Sequence, residues 1–221
     1  MNSKSHKWEL VSWEIFYDMA RQLAFLIQED DYHPDIIIAI ARGGYTPARI
    51  LSDFLGVMDM TSFKVKHYKS LHKHPGARIE HPLAADVSGR RVLLVDDVSD
   101  SGDTFDVAIE HINASANPIE IRTAVLHHKI VSKYKPTYFT REVREWHWIT
   151  YPWAAMEDMT AFINEMTPAA VTVEDVAHKL RAKYEIEVPT QILQDAIKLN
   201  SMKVWGGQEK SYLTQGDNFS G

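Results

Sequence analysis

The stretch that most constrains this chain is Val92-Leu93-Leu94-Val95-Asp96-Asp97-Val98-Ser99-Asp100-Ser101-Gly102-Asp103-Thr104. Its opening residues are apolar and branched, which predicts a short buried strand over 92–95. Arg90-Arg91 precede that strand, and two adjacent carboxylates, Asp96 and Asp97, stand at its carboxyl end. A small polar loop follows, and Phe105 to Ile112 predicts a helix. Strand, loop and helix in that order is the α/β geometry in which ligands bind at the carboxyl ends of strands. The loop Ser101-Gly102-Asp103-Thr104 then lies at a helix N-terminus, where backbone N–H groups and the positive end of the helix dipole suit a phosphate.

The chemistry can be read further. Loop hydroxyls and amides can hold a monoester phosphate, and two neighbouring carboxylates can accept hydrogen bonds from a vicinal diol. A phosphate beside a diol is a ribose 5-phosphate. An ordinary buried strand with a polar turn accounts for adjacent aspartates taken alone, but not for the whole run. The Gly-x-x-x-x-Gly-Lys pattern of nucleotide triphosphatases is absent from it. The run resembles the phosphoribosyl-pyrophosphate (PRPP) signature of type I phosphoribosyltransferases. That resemblance implies an α/β protein of the type I phosphoribosyltransferase fold: a mostly parallel sheet flanked by helices, with a hood and, here, a C-terminal helical extension. It also assigns PRPP to Asp96, Asp97, Val98, Ser99, Asp100, Ser101, Gly102, Asp103 and Thr104.

Composition narrows the class. At 221 residues the chain holds one substantial domain and a small addition. The formal net charge of −6 gives no reason to expect nucleic acid as a partner. The absence of cysteine excludes disulfides and thiolate metal sites. The N-terminus is charged and no stretch of about 20 apolar residues occurs, so neither a signal peptide nor a membrane span is expected, and the expected location is cytoplasmic.

Along the chain, Trp13 to Asp30 predicts a helix whose core face carries Ile15, Met19, Leu23 and Ile27, joined by Phe16, Ala20 and Leu26. In the run Asp35 to Ile40 every residue after Asp35 is apolar, the mark of a central parallel strand buried on both faces. Ala41-Arg42-Gly43-Gly44-Tyr45-Thr46-Pro47 follows. Thr46 is placed to cap a helix with Pro47 at its first position, and Gly56 to end it. The two glycines allow close approach of backbone to a ligand, and Arg42 offers a cationic fork. In context the turn resembles the family's pyrophosphate loop, which assigns pyrophosphate to Arg42 and Gly43. In the family this loop often carries a non-proline cis peptide, which makes the Arg42-Gly43 peptide a candidate.

Residues 61–67 alternate as a strand. Tyr68 to Gly89 holds Lys69, His72, Lys73, His74, Arg78 and His81 among helix- and strand-breaking residues, with His67 just before. The resemblance places here a mobile hood that closes during catalysis and excludes water. The histidine spacings fit no familiar zinc pattern.

Ile119 to Leu126 predicts another strand, leading to His127-His128-Lys129 and, later, to Trp146-His147-Trp148-Ile149-Thr150-Tyr151-Pro152-Trp153. These residues resemble the base-binding end of 6-oxopurine phosphoribosyltransferases of the archaeal and bacterial kind, over a match covering about residues 10–160. By that resemblance Lys129 contacts the 6-oxo group, while Trp148 stacks on the purine and Ile149 meets its edge. Trp153 is read as a packing residue. His127-His128 stand where archaeal members commonly have aromatics, so the choice among hypoxanthine, guanine, xanthine and adenine stays open. Beyond Thr167-Pro168 a capped helix from Thr172 to about Tyr184 and a second from Thr190 to Leu199 are expected, then a polar tail. The expected division is therefore a phosphoribosyltransferase core over 1–166 and a helical extension over 167–221.

The resemblance implies a purine salvage reaction: purine base and PRPP give a purine nucleoside 5′-monophosphate and pyrophosphate, with Mg²⁺ as cofactor. Asp96 and Asp97 serve the ribose hydroxyls and the metal, directly or through hydroxyls or water, and Asp100 is the general base or acid. Asp103 sets a carboxylate in a phosphate loop, so its side chain must turn outward and leave only its amide to the phosphate. A homo-oligomer, dimer or larger, is implied. Two alternatives stand beside this reading: an adenine phosphoribosyltransferase on the same scaffold, and a PRPP-sensing transcription regulator without catalysis.

Overall fold

The computed structural model describes residues 8–68, 76–166 and 172–202. Lys69, His72, Lys73 and His74, residues 167–171 and the polar tail lie outside the described residues. Nine strands and six helices are present among those described. They fall into two compact units, one of residues 14–146 and one combining the N-terminal residues to Trp13 with those from His147 onward. The division expected at 166/167 meets residues outside the description, and packing groups the chain differently from chain order.

The larger unit is an α/β sheet. In chain order it contains α1 (Trp13–Glu29), β2 (Ile36–Ala41), α2 (Tyr45–Leu55), β3 (Met60–Tyr68), β4 (Gly76–His81), β5 (Arg91–Val95), β6 (Val98–Ser99), α3 (Asp103–Ser115), β7 (Glu120–Lys129) and β8 (Tyr138–Val143). The sheet runs β4-β3-β2-β5-β7-β6, with β8 also on β7. All its pairings are parallel except β3 with β4. Every residue of β2 is buried, as a strand covered on both faces requires. The core joins Ile36, Ile38 and Ile40 of β2 to Val92 and Leu94 of β5 and to Phe105 and Ile112 of α3.

The local signals hold with instructive shifts. In α1 the buried face is Phe16, Met19, Ala20, Leu23, Ala24 and Ile27, while Ile15 and Leu26 are exposed. The core stripe is thus rotated from the expected one, taking in Ala24 in place of Ile15 and Leu26. Helix α2 begins at Tyr45 with Gly44 as its cap and no capping side chain, so Thr46 does not cap it. The turn itself supplies the bonds: Gly44 N–H donates to the Ile40 carbonyl and Tyr45 N–H to that of Arg42. Gly56 ends the helix in the left-handed region, φ 67°, as expected. Strand β7 continues to Lys129 because β6 and β8 pair its last residues on both sides.

The smaller unit contains β1 (Trp8–Leu10), β9 (Trp148–Thr150), α4 (Ala155–Glu165), α5 (Val173–Tyr184) and α6 (Thr190–Ser201). β1 and β9 pair in parallel, Trp8 opposite Trp148. Its core gathers Trp8, Met159, Phe162, Val176, Leu180 and Leu193. Thr172 and Asp175 form a reciprocal capping box at the start of α5. Among the described residues, no helix is long and apolar enough to cross a membrane.

Candidate active site

The run 92–104 is a strand interrupted and resumed. Val95 pairs with Ala124 and Val98 with His127, so β5 and β6 keep one register along β7. The two aspartates fill the gap while their backbone stays in the ladder: Asp96 N–H donates to the Ala124 carbonyl, and the Asp97 carbonyl accepts from Leu126 N–H. Both carboxylates therefore leave the sheet at its carboxyl edge, where ligands bind in parallel α/β sheets.

Asp96 is buried, and one of its oxygens accepts the Asp97 N–H at 2.9 Å. Burial first, and then the charge of Asp97, push its carboxyl well above the usual range. Asp97 reaches across to the next loop, and a Cβ on Gly43 would come within 2.6 Å of Asp97 Oδ1. A Cβ on Gly44 would press 2.8 Å from the Ile40 carbonyl, so glycine at 44 lets backbone lie this close, while glycine at 43 leaves room for the Asp97 carboxylate. Arg42 is exposed beside them. The cis peptide in this loop joins Ala41 and Arg42, one bond earlier than expected. Sequence reasoning thus found both loops, and the sheet order β2-β5 sets them side by side.

The 101–104 loop is held from behind. Ser99 is buried, its hydroxyl 2.8 Å from that of Ser132 and donating to the Tyr134 carbonyl. Gly102 caps α3 with φ 91°, and a Cβ there would lie 2.6 Å from Tyr134 N. The segment after β7 is therefore a support for this loop, which the sequence did not signal. The Asp103 carboxylate accepts from the Ser101 hydroxyl at 2.9 Å and lies 3.9 Å from the Lys133 ammonium. It is turned to Ser101 and toward Lys133, leaving α3 to begin without a side-chain cap.

Lys129 ends β7 with a side chain only 4% exposed. Its ammonium lies 3.1 Å from Asp100 Oδ1. Burial lowers the Lys129 pKa, and Asp100 and Asp97 oppose that shift. His127 and His128 are both buried, and burial lowers the His128 pKa. His128 packs on Phe139, ring centroids 5.1 Å apart. The larger unit thus brings together Arg42, Gly43, Asp96, Asp97, Asp100, the 101–104 loop and Lys129. The smaller unit carries Trp148 and Ile149. There the Trp148 indole N–H donates to Asp158 at 3.0 Å, and its ring packs on the helical core. Trp153 stacks on Tyr151 at 4.9 Å, in keeping with a packing role.

Asp96 and Asp97 set two carboxylates side by side, and oxygen ligands of this kind fit a divalent cation held partly by substrate oxygens. Among the described residues, no group of three or more His, Asp or Glu side chains that could hold a metal ion is present.

The chain is similar to known proteins along most of its length. Residues 8–156 match the family model described as the phosphoribosyl transferase domain. A xanthine-guanine phosphoribosyltransferase of Cereibacter sphaeroides is 30% identical over 149 residues, 65% of this chain and 84% of that protein. A hypoxanthine-guanine phosphoribosyltransferase of Schizosaccharomyces pombe is 27% identical, over 66% of this chain and 88% of that protein. The crystal structure of a purine phosphoribosyltransferase from Pyrococcus horikoshii superposes with a TM-score of 0.60 at 34% identity, covering 66% of this chain and 93% of the other.

Proposed function

The chain belongs to the phosphoribosyl transferase domain family, and on that premise we propose that it joins a 6-oxopurine base to PRPP, giving a purine nucleoside 5′-monophosphate and pyrophosphate. The observation that carries this reading is the juxtaposition of Lys129 and Asp100, 3.1 Å apart, with only the short strand β6 between Asp100 and the paired aspartates along the chain. It sets a hydrogen-bond donor for a 6-oxo group beside a proton acceptor for an imidazole edge.

The chain's residues divide the work. Backbone amides of the 101–104 loop and the start of α3 hold the 5′-phosphate. Asp96 and Asp97 orient the ribose hydroxyls. Arg42 and the Gly43 backbone hold the pyrophosphate, the leaving group. A purine nitrogen bonds to the anomeric carbon as the bond to pyrophosphate breaks, and the proton lost from the imidazole edge passes to Asp100. Bound Mg²⁺ would neutralise charge growing on the departing pyrophosphate. Lys129, which has only donors, donates to a 6-oxo group and meets a 6-amino group donor to donor. The resemblance also assigns Trp148 and Ile149 to the base, and that assignment is carried here as a proposal. So are a cytoplasmic location, a homo-oligomeric state, and a division in which residues 1–166 carry PRPP binding while 167–221 serve stability or assembly.

The test is a base panel on one preparation: PRPP and Mg²⁺ with hypoxanthine, guanine, xanthine and adenine. The expected result is that hypoxanthine or guanine exceeds adenine in kcat/KM by at least about tenfold, roughly 1.4 kcal/mol, with Lys129→Ala removing most of that margin. A clear adenine preference overturns the base assignment, and no nucleotide from any base overturns the reaction.

A further inference from the structure

We propose that Trp146 is a positioning residue of this site, its indole N–H holding the Asp100 carboxylate and its ring face carrying the Lys129 ammonium. The proposal rests on the reaction assigned above and deepens it.

Lys129 pairs in register with Val143, the last residue of β8. The chain leaving β8 therefore starts beside Lys129, and Trp146 turns back over it. The Lys129 ammonium lies 4.5 Å from the centroid of the Trp146 ring. A buried ammonium has lost its water and needs partners, and an indole face supplies negative potential without competing as a hydrogen-bond acceptor. The Trp146 indole N–H, its one donor, reaches Asp100 Oδ1 at 3.2 Å. That is the same oxygen the Lys129 ammonium approaches at 3.1 Å. One carboxylate oxygen is thus held by two donors from separate strands' ends. The other, Oδ2, receives neither, and is the oxygen left to take a proton from a purine.

This arrangement does two things a lysine–aspartate pair alone does not. It fixes the rotation of the Asp100 carboxylate, because two donors converge on one oxygen. It also gives the Lys129 ammonium a second partner, so that Lys129 stays ordered when an incoming 6-oxo group draws it from Asp100. The Trp148 indole N–H, in the smaller unit, is used within that unit, donating to Asp158.

Two variants separate the parts. Trp146→Phe keeps a ring and removes the N–H. Trp146→Leu removes both. With Trp146→Phe, kcat for the best 6-oxopurine is expected to fall about tenfold, the loss typical of a hydrogen bond to a charged group, with KM for PRPP unchanged and selection against adenine retained. With Trp146→Leu, the same fall in kcat is expected together with a loss of at least half of the 6-oxo preference. A third measurement does not depend on turnover. The Trp146 indole N–H resonance, assigned by its absence in Trp146→Phe, is expected to move when Asp100→Ala is introduced into the ligand-free protein.

An unmoved resonance overturns the proposal, as does Trp146→Phe with full kcat, or a variant whose losses lie only in thermal stability or in KM for PRPP. If the unmodified protein makes no nucleotide from any base, the reaction assignment fails, and the resonance alone then decides whether Trp146 holds Asp100.

Discussion

The Asp97 carboxylate lies where a side chain on Gly43 would begin: a Cβ there would stand 2.5 Å from Asp97 Cγ. Gly43 follows β2 and Asp97 follows β5, and these strands are parallel neighbours, so both loops open at one edge of the sheet. The contact joins the residues proposed for pyrophosphate to those proposed for ribose.

Gly43→Ala should therefore act on the ligand and not on the fold. Gly43 is not among the glycines with positive φ, so alanine fits the backbone, and the obstacle is the far end of a flexible side chain that can turn away. Turning away displaces Asp97 from its place. The dissociation constant for PRPP, measured by calorimetry with Mg²⁺ present, should rise at least about tenfold, while the melting temperature changes little.

Asp100→Asn should lower turnover far more than PRPP binding. The side chain keeps its shape and its acceptor oxygen for Lys129 and Trp146, but loses the ability to take a proton. The expected fall in kcat is about 10²–10⁴-fold, the usual worth of positioned acid–base help. Unchanged turnover with weakened PRPP affinity would move Asp100 from catalysis to binding.

Acid stability should depend on Asp35. Hydrogen bonds from the Arg91 side chain and then its backbone N–H hold the Asp35 carboxyl down at about 2, below its ordinary 3.8. A carboxyl whose folded value is depressed binds fewer protons folded than unfolded, so its contribution is present above the ordinary value and lost as pH falls toward the folded one. Urea midpoints taken from about pH 5 down to pH 2 should fall less steeply for Asp35→Asn than for the unmodified protein. Equal slopes would show that Asp35 does not carry this effect.

Leu180→Ala should test the helical unit by itself. Leu180 is fully buried on α5 among Trp8, Phe162 and Leu193. The cost in unfolding free energy should be about 2–5 kcal/mol, read from denaturant curves. PRPP affinity of the folded protein should stay within twofold, since the phosphate, ribose and pyrophosphate residues all belong to the other unit.

Features written within a few residues were legible in the sequence. The left-handed stop at Gly56, the capping box of Thr172 and Asp175, the buried runs of β2 and β5 and the loop at the start of α3 all depend on neighbours close along the chain. The resemblance of residues 92–104 to a PRPP signature is of the same kind, because the phosphate contact proposed for the loop rests largely on its own backbone. Where a short signal had two outcomes, tertiary contacts chose. Thr46 has the chemistry of a cap, yet the turn from Ile40 to Tyr45 satisfies the helix start without it. Ile15 and Leu26 fit an apolar stripe by spacing, yet α1 turns its alanines inward and leaves them exposed.

The rest needed the fold. Trp146 and Trp148 share a parity, a chemistry and a neighbourhood, and no periodicity separates them. One donates to Asp100 across 46 residues of sequence and the other to Asp158, and only the ends of β8 and β9 decide which does which. β1 and β9 are each too short to announce themselves, and they exist because residues 8–10 find 148–150 in register. Such contacts bring together segments whose sequences carry no record of each other. Their free energy appears only once the sheet and the helical core have already met the entropy of closing the long loops between them.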